Sequence, residues 1–178
     1  MEDQETGYGG LGIFLSGMLA RRVNRWRQLY DPYFQKLDPH ITLAYPPFIP
    51  AAQWPAMRSA IIECLRSFPA FRVRLEGVGI FEGKPLVLWI NPQDGGVLLR
   101  MRQKLEACFP DFVPRMPFDY QPHLSVGFFQ DADALLRAQA QLEAGWRPIS
   151  FTARELMYAV QTGAEEWEVR DHIPLLGK

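Results

Sequence analysis

A five-residue phrase occurs twice in this 178-residue chain, as Pro39-His40-Ile41-Thr42-Leu43 and, 83 positions later, as Pro122-His123-Leu124-Ser125-Val126. The patterns around the two copies repeat in the same order. In the first half a short apolar run at 11–15 is followed by a helical pattern at 18–30, a strand carrying the phrase at 40–45, a second helical pattern at 51–67 and an alternating stretch at 71–78. The second half replays this as a strand at 86–90, a helix at 97–109, the second phrase strand at 123–129, a helix at 131–143 and a strand at 149–160, and it adds a last strand at 167–175. Corresponding elements lie roughly 75 to 83 residues apart, which marks one β-α-β-α-β unit used twice. A duplicated chain predicts two lobes whose motif strands meet around a pseudo-two-fold cleft, with a histidine entering from each side. The strand order stays open at this level.

Local patterning supports these elements. In 18–30, Leu19, Val23, Trp26 and Tyr30 share one helical face, with Arg21 and Arg25 opposite and Arg22 and Arg27 flanking. The arginine-rich side reads as a solvated surface, and Asp31-Pro32 as the helix stop. In 71–78, Phe71, Val73 and Leu75 alternate with Arg72, Arg74 and Glu76, the period-two signature of a half-buried strand. Residues 1–178 read as a single two-lobed domain, with 1–10 a flexible, glycine-rich leader.

Composition narrows the partners. A hydrophobic content of 48% with 22% charged residues is that of a globular domain with a sizeable core. The net charge of -1 lacks the basic excess that drives binding to long nucleic acids, so any nucleic-acid substrate is small or gripped locally. Cys64 and Cys108 both fall in helical patterns and read as small buried hydrophobes of a reducing compartment, not as a disulfide. The acidic, polar start is unlike a secretory signal, and no stretch approaches the roughly 20 apolar residues that span a bilayer. The expectation is a cytoplasmic, soluble monomer with no membrane partner.

The phrase itself points to acid-base chemistry. Histidine exchanges protons near neutral pH, and residues i and i+2 of a strand share a face, so each imidazole shares its surface with the hydroxyl of Thr42 or Ser125. Ile41, Leu43, Leu124 and Val126 face the other way and anchor the strands in core. Each proline places its histidine at the start of a strand. A phosphodiester in such a cleft could accept hydrogen bonds from the hydroxyls while one imidazole takes a proton and the other supplies one, without a metal.

The paired phrases, their spacing and the order of elements resemble the two-histidine (2H) phosphoesterase superfamily, in particular its 2′-5′ RNA ligase group. The resemblance covers about 11–176 and includes Tyr30-Asp31-Pro32, Tyr45-Pro46-Pro47-Phe48 and the late Trp167. It implies an α+β fold with antiparallel sheets around a central cleft. It further implies metal-independent hydrolysis of 2′,3′-cyclic phosphates or 2′-5′ bonds of nucleotides or RNA ends, with ligation as the reverse reaction. His40 and His123 would be the acid-base pair, Thr42 and Ser125 the phosphate ligands, and no cofactor is required. This chain has Ser125 where threonine is commoner, and it continues as Gly127-Phe128-Phe129 where RNA-acting relatives often carry a basic residue.

Other readings fit the residues less well. Two histidines without a third clustered ligand make a poor zinc site, and Asp38 and Asp119 occupy dissimilar positions near the motifs. Ser125 has no oriented base or oxyanion loop to make it a nucleophile. His172 lacks a hydroxyl partner and reads as structural. Tyr45, Phe48, Phe81, Tyr120 and Phe128 are candidates to stack a base, and Arg115 and Lys84 to bring positive charge to a phosphate. The rival to an enzyme is a catalytically weak nucleotide- or RNA-binding module on the same fold.

Overall fold

The computed structural model describes residues 7–113, 117–163 and 166–177. Its elements run β1 (Gly9–Phe14), α1 (Gly17–Tyr30), β2 (His40–Ala44), α2 (Trp54–Leu65), β3 (Phe71–Phe81), β4 (Leu86–Gln93), α3 (Val97–Cys108), β5 (Leu124–Phe129), α4 (Ala132–Gly145), β6 (Ile149–Ala153), β7 (Glu155–Gly163) and β8 (Glu166–Pro174). Gly9 and Gly10, expected in a leader, open β1. The run expected as one strand at 149–160 is broken at Arg154 into β6 and β7, which lie far apart in the sheet.

The fold is α+β with antiparallel strands, as expected, and the strands form one continuous sheet in the order β6-β3-β4-β5-β2-β1-β7-β8. This order explains how the duplication closes. A pseudo-two-fold at the middle relates β5 to β2, β4 to β1 and β3 to β7, so each half-sheet takes two strands from one unit and the third strand from the other. The lobes are therefore not the repeats. Each repeat lends its last strand across, β3 pairing with β4 and β7 with β1. Helix packing follows the same exchange, with α1 against β5 and α3 against β2.

The motif strands lie side by side at the seam, where Ile41 pairs with Leu124. Their apolar members Ile41, Leu43, Leu124 and Val126 are fully buried and join one core with the inner helix faces, as the period-two pattern predicts. On the outer half, Trp54 of α2 lies flat on Tyr158 of β7, ring centroids 3.8 Å apart, and the Tyr158 hydroxyl donates to the Ile49 carbonyl. Gly95 and Gly96 adopt φ of 68° and 77°, a left-handed turn that glycine makes without steric cost, and Asp94 caps the α3 start by accepting from the Gly96 and Leu98 amides.

Two expectations about buried residues are corrected. Arg27 is not on a solvated face: it is 3% exposed and ion-paired with Asp31 at 2.8 Å. Cys64 is buried, but Cys108 is exposed at the end of α3, and both are free thiols. Among the described residues no helix is long and apolar enough to cross a membrane.

Candidate active site

His40 and His123 enter from adjacent strands with the same local geometry. The Nδ1 of His40 lies 2.9 Å from the Asp38 carbonyl, and that of His123 lies 2.8 Å from the Gln121 carbonyl, two residues back in each case. A carbonyl only accepts, so Nδ1 carries the proton and donates, which leaves each Nε2 as the free basic nitrogen. The repeat thus extends from residue identity to tautomer. Thr42 and Ser125 are half-buried beside their histidines, on the same strand face.

The two imidazoles differ in their surroundings. Burial, the largest influence, pushes His40 down to about 4 from 6.5; the hydrogen bond to Asp38 opposes this, the charges of Arg27 and His123 add to it, and Asp31 opposes it. His123 is also lowered by burial, opposed by its bond to Gln121. Phe14 stacks on His40, with centroids 5.2 Å apart and planes at 23°. Phe81 stands edge-on to His123 at 4.8 Å and 87°, with Trp89 and Tyr45 farther out.

Three cavities surround the pair. One of about 560 Å³ lies at His123 between Tyr45, Ile80, Phe81 and Phe118, with Glu82 and Asp119 at its edge. A second, of about 190 Å³, joins His40 to Ser125 and Phe128 above the Arg27–Asp31 pair. A third, of about 110 Å³, lies beside His40 and Thr42 and is lined by Phe14, Leu37, Pro46 and Trp167. Across the seam, the Tyr120 hydroxyl donates to the Thr42 carbonyl at 2.8 Å. Arg102, buried on α3, donates to the Leu43 carbonyl at 3.2 Å, pairs with Glu106 and sits about 6 Å from the Tyr45 and Tyr120 rings. Among the described residues no three His, Cys, Asp or Glu side chains converge as metal ligands do.

The structure thus places His40 with Thr42 at the smallest of these cavities, His40 with Ser125 and Phe128 at the second, and His123 with Tyr45 and Phe81 at the largest, while Tyr120 ties the two motif segments together through its bond to Thr42. Phe48 lines none of them: at 1% exposure it belongs to the core, because its amide bonds to the Gly9 carbonyl and draws it under β1. Lys84 is exposed in the β3–β4 turn and lines none of the three cavities. Arg115 falls outside the described residues. His172 lies away from the cleft, its Nδ1 3.1 Å from the Glu155 carboxylate. Sequence reasoning missed Phe14, Trp89 and the Arg27–Asp31 pair. Phe14 left a signal in the alternation of Gly10, Gly12 and Phe14 with Leu11 and Ile13, and the Arg27–Asp31 pair left one in its i, i+4 spacing.

Fold and site define a two-histidine phosphoesterase architecture, and comparison with known proteins agrees. The family model of the 2′-5′ RNA ligase superfamily matches residues 16–165, and the chain belongs to that superfamily. A protein of Geobacillus thermodenitrificans that carries the name phosphoesterase provisionally is 21% identical over 173 residues, 95% of this chain and 96% of its own. Among solved structures, a Thermus thermophilus protein aligns with a TM-score of 0.68 at 17% identity, covering 96% of this chain and 98% of its own. Escherichia coli LigT complexed with 3′-AMP aligns with a TM-score of 0.66 at 15% identity, over 95% and 98%. Kluyveromyces marxianus Usb1 with uridine monophosphate aligns at 0.54 and 16%, over 94% and 98%. At these identities the structural likenesses establish the fold.

Proposed function

We propose that the protein is a phosphodiesterase that opens 2′,3′-cyclic phosphates or 2′-5′ phosphodiester bonds of nucleotides or RNA ends, with His40 and His123 as a metal-independent acid-base pair. The observation that supports this reading is the matched pair of Nδ1–carbonyl hydrogen bonds, which leaves the Nε2 of each motif histidine as its basic nitrogen on the two strands that meet at the seam. Thr42 and Ser125 donate hydrogen bonds to the phosphate oxygens. His40, held the more firmly neutral by burial and by Arg27, takes the proton of the attacking hydroxyl or water. His123, in its protonated form, gives a proton to the departing ribose oxygen; the bound anionic phosphate favours that form. The aromatic cavity at His123 suits a base, with Tyr45, Phe81 and Phe118 as its aromatic lining, and Phe128 offers a further aromatic contact in the cavity at His40. The molecules held by LigT and Usb1 in their solved complexes, 3′-AMP and uridine monophosphate, are small nucleotides, which supports a ligand of that size here.

The test is turnover of 2′,3′-cyclic nucleotides and 2′-5′ dinucleotides by the purified protein, with and without EDTA. Turnover unaffected by EDTA and reduced about 10²–10⁴-fold by His40→Ala and by His123→Ala is the expected result. Activity that persists in both variants refutes the mechanism. Nucleotide binding without turnover supports the binding-module reading in its place.

A further inference from the structure

Neither cysteine lines a cavity beside the histidines, yet two packed helices bring the pair together. Cys64 stands near the end of α2 and Cys108 is the last residue of α3, and the two helices pack on each other. The Cys64 Sγ lies 3.7 Å from the Lys104 carbonyl oxygen of α3. Cys108 is one helical turn beyond Lys104, and a helical side chain leans back over the turn that precedes it. Its thiol therefore lies over the carbonyl on which Cys64 rests. Cys64 responds to that neighbour: burial, first, then hydrogen bonding and charge from Cys108 push its thiol up to about 12, while the Lys104 ammonium pulls it down.

The two thiols differ in access. Cys64 is 9% exposed and belongs to the core, whereas Cys108 is exposed. An oxidant in solution therefore meets Cys108 first, and the sulfur behind it is held back by burial and by its retained proton. Oxidation of thiols goes through the thiolate and follows access, so an exposed cysteine in front of a buried one divides the work into an attacking and a resolving sulfur. Cys108 also opens the segment that leads to Tyr120 and His123, and its helix carries Arg102, which donates to the Leu43 carbonyl. A covalent tie at this point restrains the route into the second motif.

We propose that Cys64 and Cys108 form a peroxide-sensitive dithiol, which closes to an intramolecular disulfide and locks the end of α3 onto α2. The Cys108 sulfur, having released its proton, attacks one oxygen of hydrogen peroxide. An S–O bond forms, the O–O bond breaks, and the other oxygen leaves as hydroxide and takes up that proton as water. Cys108 is then a sulfenic acid. The Cys64 sulfur attacks the Cys108 sulfur; an S–S bond forms, the S–O bond breaks, and hydroxide departs with the Cys64 proton as a second water. Both thiols are oxidised together and the peroxide is reduced. A dithiol reductant reverses the closure by exchange.

The test treats the reduced, purified protein with an equimolar amount of hydrogen peroxide, then alkylates it under denaturing conditions and weighs it. The expected result is loss of both thiols together, a peptide joining Cys64 to Cys108 within one chain, and a Tm raised by at least about 4 °C that falls back on treatment with dithiothreitol. In Cys108→Ser, Cys64 stays open to alkylation at a dose that exhausts the wild-type thiols. In Cys64→Ala, Cys108 is trapped as a sulfenic acid by a 1,3-diketone. Wild-type protein that keeps both thiols, or that cross-links only between chains, overturns the dithiol. A disulfide that forms without raising Tm overturns the lock, and Cys64 oxidised at the wild-type rate in Cys108→Ser overturns the division of roles. These readouts are thiol count and stability, so they are independent of the phosphodiesterase reading.

Discussion

The Tyr120 hydroxyl donates a 2.8 Å hydrogen bond to the Thr42 carbonyl, tying the loop that leads into one motif to the strand that carries the other. The bond crosses the place where the sheet is weakest in register, since β2 and β5 share the single pair Ile41–Leu124. Burial and the neighbouring Tyr45 raise the Tyr120 pKa, so the phenol stays a donor across the working range of pH. Tyr120→Phe removes the donor and little else. It removes one part-buried hydrogen bond across the seam, at a cost of about 0.5–1.5 kcal/mol in chemical denaturation. Because it loosens the relative placement of the histidines, kcat falls about tenfold or more while KM changes less. An unchanged kcat in Tyr120→Phe contradicts a positioning role.

The pH profile follows from the same pair. A base must be neutral, so kcat/KM rises with pH through the His40 pKa, near 4 in the free enzyme. An acid must be protonated, so kcat/KM falls above the His123 pKa, which lies below 6.5. The bell is therefore displaced to the acid side, with its optimum below 6.5. Stability moves the same way on its lower limb: the unfolded chain protonates His40 near 6.5 and the folded one near 4, so stability present above 6.5 is lost as pH falls toward 4. Rate measurements from pH 3.5 to 8 read the first effect, and urea titrations of wild type against His40→Gln read the second. A descending limb well above 7 excludes His123 as the acid of the free enzyme.

Beneath His40, the Arg27–Asp31 pair is almost fully buried, with Asn24 accepting from Arg27 and the Tyr33 amide donating to Asp31. Asp31→Ala strands a buried cation and costs about 3–5 kcal/mol in denaturation experiments. It also removes the one nearby charge that raises the His40 pKa and leaves Arg27, which lowers it, unopposed. The rising limb of the pH profile then shifts to lower pH. Arg27→Met shifts it to higher pH. Displacements in the same direction for both variants disprove electrostatic control of His40 by this pair.

What the sequence reveals depends on how local the determining physics is. The strand faces of Ile41 and Leu124 and the shared surface of His40 with Thr42 are set by period-two geometry, which is legible in a few residues. Strand exchange is not local: nothing in 71–81 says whether β3 pairs within its own repeat or with β4, because turn connectivity and burial of both faces decide it jointly. Arg27 looked solvated because its partner Asp31, four residues on, was read as a helix stop and not as a counter-ion. Phe48 looked like a cleft aromatic because proximity in sequence to Tyr45 does not report the hydrogen bond that draws it beneath β1. Trp89 lies in the continuous apolar run 86–90, where no alternation reveals which face a side chain takes.

That tryptophan supplies a further prediction. Trp89 is opposite Gly79 on the neighbouring strand, and a Cβ on Gly79 would come within 2.3 Å of the indole. The ring therefore lies across the glycine, where it packs on Phe81 at 4.9 Å and presents an edge toward His123 at 6.2 Å. Gly79→Ala forces the indole off the strand at a cost of about 1–3 kcal/mol, the usual range for overpacking. Phe81 loses its backing and His123 its aromatic wall, so activity falls while the sheet persists. In Gly79→Ala/Trp89→Phe the smaller ring relieves the clash, and the double variant is more stable than Gly79→Ala alone, a coupling that a double-mutant cycle measures directly. Additive effects of the two substitutions on stability would mean that the indole does not rest on Gly79.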